Sequence, residues 1–375
     1  MRIELAVASA VAWLLAPAVG HAFTVKSGLT DGCHEAVTVV AYLQAMPQIP
    51  ADLDMYVPGG AWEEVADYLL RDAHYEPETR TEKFLLFSLL TGVRAPDNEG
   101  FSLSNLSTLR AIHDNPEDQY HHCLRAVHDD GLAGDQQAVA GCRDTLVAQL
   151  QQASDQRQRP WPEQVQTRPF TLDQYGTFEV EVWSPAYHLG RALHALEDSF
   201  THSLRTLNLR GVIHVMNYAE AIGGTLHEER DGLAHAGATD SCALVTSDPA
   251  HPANQDRVFA AEEAGADLLR AAAPTLAGAR LSSAEIAVVL DKWLGYVPGA
   301  QLGFAEGCVK ANDYCHSPWL ELARLHPSKP ILGCGLALLA RARTAPFAPA
   351  DGRAAVVLLL PAMALLARRA SRGRR

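Results

Sequence analysis

The stretch YHLGRALHALEDSFTHS, from Tyr187 to Ser203, constrains this chain more than any other part of it. Its apolar residues recur three and four apart, the spacing of an α-helix with a buried stripe. At 100° per residue Leu189, Leu193, Leu196 and Phe200 share that stripe. His194, Asp198 and His202 fall within about 80° of one another on a second stripe, roughly 190° away, with Tyr187 and Arg191. A solvated face would more often carry lysine and glutamate. Imidazole and carboxylate at i, i+4 and i+8 are instead the groups that coordinate transition metals, and a bridging carboxylate serves two adjacent cations. The plainer alternative is a solvated polar face with chance histidines. Three ligand-type residues in register, in a chain with 16 histidines, favour metal.

Both ends of the chain differ from its body. Residues 1–22, MRIELAVASAVAWLLAPAVGHA, have one early arginine, an apolar stretch from Leu5 to Val19, and small residues at Gly20 and Ala22. That is the pattern of a secretory signal peptide cleaved after Ala22, and the run is short for a membrane anchor. Near the other end, Ala354 to Ala367 is a 14-residue apolar run, and five arginines stand among the last eight residues. A spanning helix takes about 20 residues, so the length is marginal, and the arginines would hold the tail on the cytoplasmic side. A core helix is the other reading, but a tail this basic does not match the body. The expected organisation is a signal peptide at 1–22, one α-helical metal-binding domain at 23–326, and a linker with a C-terminal transmembrane tail at 327–375.

The full chain has 31 basic and 44 acidic residues. Arg2 and nine basic residues from Lys329 onward lie outside the body, as do Glu4 and Asp351, which leaves 21 basic against 42 acidic between Phe23 and His326. Such a body repels nucleic-acid phosphates, so no general nucleic-acid binding is expected, and it attracts divalent cations. Seven cysteines are present. With Cys334 assigned to the tail, six remain, an even number that reads as three disulfides in an exported chain. Fifteen pairings are possible. The expected set is Cys308 with Cys315, Cys123 with Cys142, and Cys33 with Cys242. No CxxC pair, GxSxG elbow, HExxH motif or P-loop occurs.

Helical periodicity dominates the body: HEAVTVVAYLQAM after a Thr30-Asp31-Gly32 turn, AWEEVADYLLRDA, TEKFLLFSLLTGV, GDQQAVAGCRDTLVAQLQQAS, RVFAAEEAGADLLRAAAPTL and SAEIAVVLDKWLGYV. FEVEVW alternates apolar and charged residues, which predicts a short strand or hairpin arm around Phe178 to Trp183. RQRPWPEQ and TSDPAHPANQD read as loops.

The segment ALHALEDSFTHS resembles the motif of the heterokaryon-incompatibility C proteins. More distantly it is similar to the motif helix of zinc-dependent phospholipase C and of the fungal single-strand nucleases that share its fold. The phospholipase motif is longer between its Asp and second His, so the match is closer to the heterokaryon group. The resemblance is strong over roughly 20 residues and implies an all-α, multi-helix phospholipase C-like domain with two or three zinc ions. It also implies phosphoester hydrolysis in the enzymatic members. Carried onto this sequence, it makes the mature amino terminus at Phe23 a ligand through backbone atoms, although the family usually has tryptophan there. GCHEAV offers His34, VRAPDNEG offers Asp97, and DQYHHCLR offers His122, with His121 and His113 as rivals. After the motif GVIHVMNYAE offers His214, but the family's glutamate four residues on is Tyr218 here, and Glu220 is out of register. Asp231 and His235 in RDGLAHAG are substitutes, again four apart.

The candidate metal ligands are therefore Phe23, His34, Asp97, His122, His194, Asp198, His202, His214 and His235, with Asp97 and Asp198 as candidate catalytic residues. Each has a plainer reading. His34 would pack beside a disulfide, Asp97 would cap a turn after Pro96, and His121, His122 and His128 would be solvated. His227, His251, His316 and His326 are left to surface or loop. The tail, with Gly333 and Cys334, an apolar segment and then arginines, resembles the myxobacterial C-terminal sorting tag. That resemblance implies a sorting protease acting at the cysteine and anchorage at the cell surface or outer membrane. The leading expectation is a surface zinc-dependent phosphodiesterase acting on a phosphoester or phospholipid through a metal-held hydroxide. The alternative is a non-enzymatic surface protein with a structural or vestigial metal site.

Overall fold

The computed structural model describes Val25, Asn115, His235 and residues 32–50, 53–102, 118–172, 176–206, 208–218, 227–233 and 251–297. Residues 184–201 form the helix read from the motif, here α5 (Ser184–Thr201) in chain order, with Pro185 in its first turn. There the missing N–H of proline removes no helical bond. Nearly every residue of α5 is buried, on both stripes; only His188 and Arg191 are half-buried. Three long helices pack on it: α3 (Arg80–Asn98), α4 (Gly131–Arg157) and α7 (His251–Leu276). The polar stripe thus faces protein.

The remaining helices close the core. α1 (Cys33–Ala45) lies on α7 and also touches α3 and α5. α2 (Trp62–Asp72) packs on α3, and α8 (Ser283–Trp293) packs on α7. Glu228–Asp231 is a single turn, α6. β1 (Val165–Leu172) and β2 (Gly176–Trp183) make the small antiparallel hairpin, with Phe170 opposite Phe178. Val180 and Val182 of β2 are buried while Glu179 is exposed, as the alternation of FEVEVW requires. β2 runs directly into α5, and the Trp183 amide donates to Ser88 Oγ at 2.8 Å. A second sheet pairs β3 (Ser203–Arg205) antiparallel to β4 (Gly211–Val215), which pairs parallel to β5 (Gly295–Tyr296). The fold is mostly helical with a small hairpin.

Three local readings change. α7 begins at His251, inside the segment read as a loop; Pro252 occupies its first turn, where proline is tolerated. α3 continues through Pro96 to Asn98, so Asp97 is a helical residue and not a turn cap. The short β3–β4–β5 sheet carries too few residues per strand for alternation to be visible. No described helix is long and apolar enough to cross a membrane. The signal-peptide and tail segments, Phe23, His113, Glu220, and Cys242, Cys308 and Cys315 lie outside the described residues.

Cys123 and Cys142 are disulfide-bonded, which ties the turn carrying His122 to α4. Closing a loop of this length contributes about 3 kcal/mol through the unfolded chain. Cys33 is also disulfide-bonded, and Cys123 is not its partner.

The helix crossing that builds the centre depends on two glycines. A Cβ on Gly92 of α3 would lie 2.0 Å from the Tyr187 carbonyl oxygen, and one on Gly190 of α5 would lie 2.1 Å from that of Leu89. Backbone can therefore approach backbone where a methyl group would collide. Gly190→Ala is expected to cost at least about 3 kcal/mol, because neither helix can retreat from a close-packed core. Gly59→Ala, with nothing within 4 Å of the added Cβ, is expected to stay within about 0.5 kcal/mol of wild type. Urea unfolding of the two variants checks this, and equal stabilities would refute the account of the crossing.

Candidate metal centre

α5 contributes His194 and Asp198, four residues and one turn apart. α1 contributes His34 from its first turn and α3 contributes Asp97 from its last. A 3-10 turn, Gln119–His122, contributes His122. His34, His194 and Asp198 are fully buried, Asp97 is 1% exposed and His122 only 5%. Two groups of ligand atoms close enough to share an ion result: His34 with His194 and Asp198, and Asp97 with His122 and His194.

The carboxylates connect two poles. Asp198 Oδ1 lies 3.2 Å from His34 Nε2, while Asp198 Oδ2 lies 3.0 Å from both His122 Nδ1 and His194 Nε2. Asp97 repeats the arrangement at longer range. Its Oδ2 is 4.0 Å from His34 Nε2, and its Oδ1 is 3.8 Å from both His122 Nδ1 and His194 Nε2. Ligands bound tetrahedrally at about 2.1 Å from zinc sit roughly 3.4 Å apart, so the donor separations fit a cation of that size. These buried His and Asp groups can hold a metal ion.

Hydrogen bonds behind the donors fix which nitrogen each ring presents. His194 Nδ1 donates to the Val93 carbonyl at 2.8 Å, leaving Nε2 to face the carboxylates. This bond crosses at the Gly92 contact, so the glycine seam sets the ring. His34 Nδ1 is held by Glu197 Oε2 at 2.6 Å, and Thr38 Oγ1 donates to the other oxygen at 2.7 Å. A carboxylate on the remote nitrogen of a ligating histidine fixes its tautomer and raises its basicity. Glu197 was not anticipated from the sequence, although it stands beside Asp198 in LED. Arg94 and Glu35 form a buried ion pair next in sequence to this group, joining α3 to α1. The arginine inside the apolar run LLTGVRAP was its only signal.

The other expected ligands are placed differently. α5 ends at Thr201, so His202 sits at the C-cap and leaves the helical stripe. Its Nδ1 donates to the His122 carbonyl, and its ring stands edge-on to His235 with centroids 4.7 Å apart. His202 and His235 adjoin the centre, but neither belongs to the two groups. His214 lies in a separate polar knot. Its Nε2 accepts the Leu233 amide at 3.0 Å and its Nδ1 meets Asp135 Oδ1 at 2.9 Å, so both ring nitrogens serve the backbone and that carboxylate. Arg125 bridges to the same Asp135 at 2.6 Å. Asp231 pairs with Arg230 at 2.5 Å and accepts the His227 amide. Of the rivals to His122, His121 faces outward to Asp118 at 3.1 Å. His128 and His227 are exposed, as expected.

Electrostatics pull the centre in opposite directions. Burial disfavours charge on His34 and His122, but Asp198 outweighs it, helped by Glu197 at His34, and both imidazoles are raised above their ordinary value. Burial pushes Asp97 and Glu197 up to about 7. Burial lowers His194 to about 3, and it holds His202 well below the ordinary value. For Asp198 burial works the other way, yet His194 and His202 keep it well below the carboxylate range. Among known family models, curated proteins and solved structures, the chain matches none.

A pH dependence follows. Without a cation, folded His34 and His122 hold protons above 6.5, where the unfolded chain releases them. Asp97 and Glu197 hold theirs up to about 7. Depressed His194 and His202 favour folding with rising pH, but only up to their unfolded value of 6.5. Above that the raised groups dominate, so chelator-treated protein is expected to lose thermal stability between about pH 6.5 and 8. Cations compete with those protons, so the stabilisation from added zinc should grow over the same range. Calorimetric melts with chelator or with zinc at each pH check both trends, and a zinc increment that shrinks with pH would contradict them.

Proposed function

We propose that this chain is a zinc-dependent phosphoester hydrolase of the phospholipase C-like kind, exported and held at the cell surface through its C-terminal tail. One observation carries the reading: both carboxylates, Asp97 and Asp198, span from the His34 pole to the His122–His194 pole. A carboxylate with one oxygen at each pole suits a pair of adjacent cations, and only one pole can use His194 Nε2. Zinc held by these residues would supply Lewis acidity toward a phosphoryl oxygen and would acidify water. The motif resemblance supports the same reading, and the acidic body would attract the cations it needs.

The protein's own groups divide the remaining work. Asp198 makes the short contacts, 3.0–3.2 Å, and is the fixed anchor of both poles. Asp97 makes the long ones, 3.8–4.0 Å, which leaves it able to orient a water and accept its proton. Glu197 keeps the proton of His34 on Nδ1, so that Nε2 remains a donor to the cation. The second reading is a structural metal site without activity. It is favoured by the engagement of His214 with Asp135 and Leu233, and by the near-complete burial of every ligand.

Asp198→Asn keeps shape but removes the charge common to both poles. It is expected to lose at least one equivalent of zinc and all hydrolysis. Asp97→Asn should retain more metal and still lose about 100-fold or more in rate. His188→Ala is the control. Its Nδ1 pairs with Gln149 of α4 at 2.9 Å, away from the centre, so its metal content should match wild type. Metal analysis and hydrolysis of a chromogenic phosphodiester and of phosphatidylcholine vesicles decide the matter. Full zinc in Asp198→Asn would remove the metal centre, whereas bound zinc with no hydrolysis of either substrate would select the structural reading.

A further inference from the structure

A cavity of about 240 Å³ lies between the last two turns of α3, strand β1 and Tyr187 of α5. Its volume is just below the roughly 300–1,000 Å³ of pockets for drug-sized ligands, which sets a small occupant. Asp97 is on the same turn of α3 but does not line it. Two guanidinium groups do, from Arg94 and Arg168.

The charges on the walls do not cancel. Arg94 is matched by Glu35 of α1, which is outside the cavity. Glu99 is the wall's own carboxylate, and Arg191 takes it at 2.9 Å. Arg168 is left over. Its guanidinium rests 4.9 Å above the Tyr187 ring and donates to the neutral Gln166 side chain at 2.6 Å. Its Nε is buried with no acceptor among the described residues, and no carboxylate among them pairs with it. A partly desolvated cation beside a buried, unanswered N–H is costly unless an anion completes it. His188, lowered to about 4 by burial and then by Arg191 and Arg168, responds to the same positive field.

The rest of the lining narrows the ligand. Thr91 and Asn98 supply polar contacts from α3, and Phe101, Pro169 and Phe170 supply apolar walls. We propose that this cavity binds a small organic oxyanion, a carboxylate or phosphate monoester carrying a compact apolar group, with Arg168 as its charge partner. The proposal is independent of the metal centre. A guanidinium can offer such a group two parallel N–H donors, a geometry that lysine lacks.

Titration calorimetry of the full chain in chelator, with benzoate, phenyl phosphate and neutral benzamide as probes, tests it. Chelator removes any binding of the anions to metal. One-to-one binding of benzoate or phenyl phosphate is expected, with benzamide at least about tenfold weaker. Benzoate against phenyl phosphate tells which oxyanion the site prefers. Arg168→Gln should weaken the preferred probe about tenfold or more, and Arg168→Lys should fall between. Phe101→Ala, at a half-exposed position that the core does not need, should weaken the same probe without changing the melting temperature. Absence of anion binding in chelator, or equal affinity in wild type and folded Arg168→Gln, overturns the proposal.

Discussion

Two carboxylates, Asp97 and Asp198, are almost completely withdrawn from water, and ionised carboxylates in that position must be countered at close range. Two imidazoles, from His34 and His122, do so from separate elements, and His194 Nε2 adjoins the same oxygens. The helices around them are arranged as this requirement demands. α1 brings His34, α3 brings Asp97, α5 brings His194 and Asp198, and a turn fastened by the Cys123–Cys142 bond brings His122. Without a cation the cluster balances itself by holding protons on His34 and His122 while Asp198 stays ionised. A divalent cation would replace those protons and leave the same donors in place.

The surroundings serve orientation. Val93 and Glu197 hold the far nitrogens of His194 and His34, so each ring presents one defined atom to the centre. Val93 reaches His194 because Gly92 and Gly190 let α3 and α5 meet backbone to backbone. The Arg94–Glu35 pair joins α1 and α3 beside both His34 and Asp97. Losing one member of such a buried pair costs about 3–5 kcal/mol, since the survivor is left as a lone charge.

Much of this was legible in the sequence, and the misses have physical causes. The α5 periodicity gave the helix, its apolar stripe and the His194–Asp198 pair. It did not give the surroundings of the polar stripe, because periodicity cannot say that three other helices enclose a helix on all sides. His202 was placed on that stripe by extending an ideal helix past Thr201, where the chain turns into β3. His34, Asp97 and His122 came from the family resemblance and converge in space, although no local pattern joins residues so far apart. His214 was drawn from the same resemblance. Its pairing with Asp135, 79 residues away, is invisible to any spacing rule. Glu197 and the Arg94–Glu35 pair show the one signal that was available and unused, a charged residue inside an apolar helical run.

The central claim is that His34, Asp97, His122, His194 and Asp198 form a metal centre. X-ray absorption at the zinc edge, on stoichiometrically loaded full-length protein, tests it most directly. The account predicts a first shell of nitrogen and oxygen alone at about 2.0–2.1 Å with imidazole scattering, lost on substituting Asp198. Failure to retain zinc after purification without chelator, or a shell containing sulfur, would contradict it.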